Sequence, residues 1–167
     1  METLAHELVQ CITRQRHLYQ RLLDLFLDER TALLASDLEA LNTVVAAKES
    51  LLQEIRLAEV KRLKSADRLA AALGLDSDQP PTVNSLGDRL EAVSAQRLKQ
   101  AGEALQRLVA TIQVESDRNR SLCLHALQFV NGSLKLLTNL VCPETVYHSS
   151  GRMDLDRSSG RVLSGAV

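Results

Sequence analysis

From Leu90 to about Val141 apolar residues recur at spacings of three and four: Leu98, Ala101, Leu105, Leu108 and Ile112, then the polar pair Glu115 and Asn119, then Leu122, Ala126, Phe129, Ser133, Leu136 and Leu140. This spacing predicts one long helix with heptad character. At 1.5 Å per residue it would run for about 75 Å. No compact fold of this size buries such a helix, so the rest of the chain must be arranged along it.

Upstream, residues 2–35 carry a second helical pattern. Ala5, Ile12, Tyr19, Phe26 and Leu33 repeat every seven residues and are flanked by Leu4, Leu8, Leu18, Leu22 and Leu25. So broad a stripe calls for neighbours on more than one side. The polar seam positions Gln15 and Glu29 either fix register or lie at the seam's edge, the second being the commoner case. Ser36-Asp37-Leu38-Glu39 has the form of a capping box, Ser36 at the N-cap and Glu39 three residues on. It predicts a break at 35–37 and a fresh helix over 38–73, and so short a connection implies an antiparallel hairpin. That helix reads Leu38, Leu41, Val45, Lys48, Leu52, Ile55, Glu59, Arg62, Ala66, Leu69 and Leu73, and Gly74 stands where a left-handed C-cap belongs. Lys48 and Glu59 are expected as partly solvated charges that snorkel outward.

Residues 75–87 form a connector rich in Asp, Ser, Pro and Asn, in which Thr82 is placed to cap a turn through Val83 to Leu86. Asp76 and Asp78 lack the downstream Gly and the bidentate Glu of a calcium loop. The expected fold class is therefore all-α: an antiparallel helical hairpin plus a longer third helix, an elongated coiled-coil-like bundle over 1–141 with helices at about 2–35, 38–73 and 90–141, then a flexible tail over 142–167. If the first helix rises, the second descends and the third starts again at the bottom, the third passes the hairpin turn near His125. The stretch beyond holds Ala126, Leu127, Phe129, Val130, Leu134, Leu136, Leu137, Leu140 and Val141, with Lys135 its only formal charge. An apolar helix end without an intramolecular partner is an expected contact surface. Its occupant is a foreign helix, a second copy of this chain, or the folded-back tail.

Composition narrows the function classes. Hydrophobic residues make up 45% and aromatics only 2% of the 167 residues, which favours helices over sheets. A net charge of -1 offers nothing to nucleic acid or an anionic membrane. No run of apolar residues is long enough for a membrane helix, and the acidic start METLAHELVQ is unlike a signal peptide, so a cytoplasmic protein is expected. Cys11, Cys123 and Cys142 follow no metal spacing and read as reduced thiols. The four histidines are scattered, no phosphate-binding glycine loop or nucleophile elbow is present, and no Glu-x-x-His pair supplies a di-iron site. No enzyme, metal or cofactor is expected. In the polar tail, Tyr147 is an isolated aromatic of the kind that anchors short docking motifs.

Leu33-Leu34 followed by Asp37-Leu38-Glu39-Ala40-Leu41, then Lys48-Glu49, Leu51-Leu52 and Ile55, resembles the helix, short break and second helix of the FlgN-like flagellar type III export chaperones. Asn119 and Asn131 in the long helix, and a tail Tyr147 followed shortly by Gly151, extend the likeness over essentially the whole chain. The resemblance implies a cytosolic, non-catalytic chaperone for the helical ends of the hook-filament junction proteins FlgK and FlgL. It places client binding on about 122–141, with candidates Leu122, Ala126, Leu127, Phe129, Val130, Leu134, Leu136, Leu137 and Leu140, and docking to the export gate protein FlhA at Tyr147 and Gly151. The competing class is a homodimeric coiled-coil adaptor, with self-association through the same apolar stretch.

Overall fold

A computed structural model describes residues 1–75 and 80–141, and, at Val141, the backbone alone. The tail with Tyr147 and Gly151, the thiol of Cys142, and Asp76 and Asp78 lie outside the described residues. Among the described residues four helices follow one another: α1 Glu2–Ala35, α2 Leu38–Ala72, the short α3 Val83–Gly87 and α4 Ala92–Val141. The chain divides into two units, Met1–Leu122 and Cys123–Val167.

In the first unit α1 and α2 are antiparallel. Arg68 pairs with Glu7 at 2.9 Å, Arg21 with Glu54 at 3.3 Å and Lys48 with Glu29 at 2.9 Å, so residue numbers rise along one helix as they fall along the other. Two layers of apolar side chains join them to α4. Ala5, Leu8 and Ile12 of α1 meet Ala66, Leu69 and Ala70 of α2, with Leu86 of α3 and Leu98 of α4. Farther along, Leu18 and Leu22 meet Leu51, Ile55, Ala58 and Ile112. Leu8, Ile12, Leu51, Leu69, Leu86 and Leu98 are fully buried, each worth about 1.5–3 kcal/mol of transfer free energy. Leu98 lies near the start of α1 and Asn119 beside Phe26, so α4 runs parallel to α1.

The helix ends follow from local chemistry, with one reassignment. Ser36 is not the N-cap of α2. It adopts the left-handed conformation, φ 54°, and ends α1, its N–H donating to the Leu33 carbonyl while that of Asp37 reaches Ala32. An N-cap needs an extended backbone, so the cap passes to Asp37, whose carboxylate accepts from the Ala40 N–H at 3.0 Å. At the far end of α2, Gly74 N–H donates to Ala71 and Leu75 N–H to Ala70, with Gly74 at φ 66°, the double closure of a Schellman motif. A Cβ at Gly74 would meet nothing within 4 Å, so Gly74→Ala isolates the backbone penalty. It is expected to cost about 1–2 kcal/mol, read as a lower denaturant midpoint at unchanged slope.

Thr82 and Ser85 form a capping box that starts α3. α3 lies close against α4: a Cβ on Gly102 would come within 3.2 Å of both Val83 methyls. Turn residues at 88–91 delay α4 to Ala92, two positions beyond the expected start, because the N–H groups of Arg89 and Leu90 still close turns on Leu86 and Gly87. From Ala92 α4 is unbroken through Glu115 and Asn119.

Candidate functional site

The second unit's described part, residues 123–141, is the C-terminal end of α4. Leu, Ala, Gln and Lys favour the helix on both sides of Asn131-Gly132-Ser133, a stretch of weaker helix formers through which the helix continues. Its side chains differ sharply from those of α4 in the first unit. Leu98 and Ile112 are buried, whereas Phe129 is 76%, Leu136 67% and Leu140 79% exposed. Leu127, Val130, Leu134 and Leu137 are each more than half exposed, and Ala126 is open as well. Leu122, the first candidate, is half-buried and closes the first unit.

At about 100° per residue these side chains sort into two adjacent seams. Ala126, Phe129, Leu136 and Leu140, with Ser133, form one; Leu127, Val130, Leu134 and Leu137 form the other. The opposite side carries Gln128, Asn131, Lys135 and Asn139. Lys135 stands about 180° from Ala126, so the apolar half presents no formal charge. Leu124, half exposed, lies about 60° beyond the second seam, beside Lys135 on the polar side, and is not among the sequence candidates. A face of this kind can bury apolar surface against another helix. Among the described residues no three His, Cys, Asp or Glu side chains converge as metal ligands, and no helix is long and apolar enough to cross a membrane. Cys11 and Cys123 are free and half-buried.

The first unit, in contrast, holds its charges in networks. Gln15 and Glu29, which spacing alone left at the seam's edge or within it, are inside. Gln15 is buried and its amide donates to Glu59. Glu29 accepts from Lys48 at 2.9 Å and from Asn119 Nδ2 at 2.8 Å, while the same amide nitrogen donates to the Phe26 carbonyl at 2.7 Å. Lys48 does not snorkel: it turns inward, its ammonium 3.9 Å from the centre of the Phe26 ring, where it finds both an anion and a π-face. Glu115 pairs with Arg30 at 3.0 Å and with Arg118, so both polar residues that interrupt the α4 seam have partners on α1.

Glu59 behaves more nearly as expected. Its side chain is 38% exposed and bonded to Arg62. Hydrogen bonding by Arg62, opposed by partial burial and aided by Gln15, holds its pKa below the ordinary 4.5. A carboxylate whose pKa is depressed on folding stabilises the fold above its unfolded value and loses that contribution as pH falls through the folded one. Stability should therefore decline below about pH 4.5, and Glu59→Gln should remove part of that decline in melting curves recorded from pH 6 downward. An unchanged profile would assign the decline to other carboxylates.

Among the described residues the fold is helical throughout, and the C-terminal end of α4 carries an open helix face without formal charge. The sequence model for the FlgN protein family matches residues 1–154, all but the last part of the chain. The protein is thus a member of the FlgN family of flagellar export chaperones. No curated protein and no solved structure matches the sequence.

Proposed function

We propose that this protein is a cytoplasmic chaperone that binds the helical ends of the hook-filament junction proteins FlgK and FlgL and keeps them from assembling or being degraded before export. The observation that carries this reading is the apolar half-face of 126–140, which has no formal charge and no covering element among the described residues. Helical ends of proteins that polymerise by coiled-coil packing expose a matching stripe, and helix-on-helix packing covers both at once. Burying a Leu-sized side chain yields about 1.5–3 kcal/mol, and several of them, less the ordering cost, give a complex that protects yet releases without a nucleotide. Tyr147 and Gly151, by the family likeness, dock the loaded chaperone on FlhA. The reaction is binding only, with no cofactor and no catalytic group.

Calorimetric titration of the protein with the isolated C-terminal segments of FlgK and FlgL tests this. Saturable binding with a dissociation constant of about 1 µM or below, some -8 kcal/mol, is expected. Failure to bind either segment, together with a dimer that persists at all concentrations, would instead make the protein a coiled-coil adaptor.

A further inference from the structure

The width of the open face says how many helices it accommodates. In the first unit the α4 side chains turned to the core run from Leu98 through Ala101, Leu105, Leu108 and Ile112 to Glu115 and Asn119, and at 100° per residue they fall within an arc of about 100°. That arc already meets two helices: Leu98 packs in the cluster with Leu8 of α1 and Leu69 of α2, and Ile112 in the cluster with Leu22 of α1 and Leu51 of α2. The open face of the second unit is wider. From Leu136 at one edge to Leu127 at the other it spans about 180°. A two-stranded coiled coil closes only a narrow a/d stripe. One helix laid on this face would leave at least one of its edges in water, Phe129 and Leu136 on one side or Leu127 and Leu134 on the other.

We propose that the occupant is a two-helix segment of a single client molecule, one helix seated on each seam, so that residues 124–140 become the third helix of an intermolecular bundle. Both seams are free of charge and only Ser133 among them is polar, so the client helices turn apolar, uncharged side chains inward and keep their charges on the outer sides. This inference rests on the reading of the face as a client site and specifies what the client must present. A client offering only one helix would be held less tightly, since half of the apolar arc would stay hydrated.

Site-resolved cysteine labelling tests it. Phe129→Cys reports the first seam and Leu134→Cys the second, each in the otherwise intact chain, with maleimide labelling rates read site by site by mass spectrometry before and after adding saturating full-length FlgK. Calorimetry on each variant confirms that it still binds. Two-helix seating predicts a drop of at least about tenfold in labelling at both positions, with one FlgK per chaperone. Protection at one position alone, in a variant pair that still binds FlgK, overturns two-helix seating and leaves the client reading standing. A stoichiometry of two FlgK per chaperone overturns it too. Protection at neither position, or protection that grows with the concentration of the free chaperone, removes the face from the client altogether.

Discussion

Changing Phe129, Leu136 and Leu140 together to Ala is expected to abolish binding of the FlgK and FlgL helical ends while leaving the unfolding of the protein where it was. The three side chains are among the most exposed large apolar groups of the chain, so removing them takes no buried contact from the fold. Ala has the highest helix propensity, so α4 is not weakened. In a complex each truncation forfeits most of the burial of one large side chain, about 1–2 kcal/mol after ordering costs, and three on one seam amount to about 3–6 kcal/mol. Affinity should fall by about 10²–10⁴-fold. Calorimetry measures the loss and circular dichroism the helicity. Binding retained within tenfold would show that the seam is not the client surface, and a melting point lowered by several degrees would show that it is covered within the protein itself.

Glu29→Ala should have the largest effect on stability of any single charge change in the described residues. Glu29 is the anion that pairs with Lys48 among the described residues and also accepts from Asn119, and the side chains of Glu29 and Lys48 are only 13% and 17% exposed. Removing the carboxylate leaves an inward-turned ammonium without its anion and takes one of two acceptors from the buried Asn119 amide, which keeps the Phe26 carbonyl, and breaking a buried pair in this way costs about 3–5 kcal/mol. Partial access of Lys48 to water puts the expected loss near the lower end, about 3 kcal/mol, or roughly 6–12 °C in melting temperature for a chain of this size. The double variant Glu29→Leu with Lys48→Leu should recover most of it, because apolar side chains of similar volume need no partners. A loss below about 1 kcal/mol in the single variant would mean that solvent already screens the pair. Recovery in the double variant would further show that the pair within this polar layer adds no net stability over apolar side chains of similar volume.

This layer marks the limit of what spacing reveals. Gln15, Glu29, Lys48, Glu115 and Asn119 all sit in phase with their apolar seams, and phase identifies the side of the helix they occupy. Whether such a residue turns inward depends on what faces it. Gln15 meets Glu59, 44 positions away, and Asn119 meets Glu29, 90 positions away. The expectation that Lys48 points outward failed for that reason: its anion and its aromatic ring both lie on another helix, so no local pattern could reveal them. At the Ser36-Asp37 junction the competition was local but close. Both residues make good N-caps, and the need of α1 for a left-handed final residue took Ser36 and left the cap to Asp37.

The sequence by itself determined the three long helices, the short one begun by Thr82, the stop at Gly74 and the apolar character of 122–140. Each of these is written in interactions between residues no more than about four apart, through propensity, capping and backbone freedom. It also determined that the two seams beyond Leu122 carry no charge. Only the tertiary structure decided which apolar residues are covered, because burial is a property of what packs against a face. Leu98 and Phe129 lie on the same helix and look alike in the sequence pattern, yet Leu98 is enclosed by α1, α2 and α3 while Phe129 remains 76% exposed.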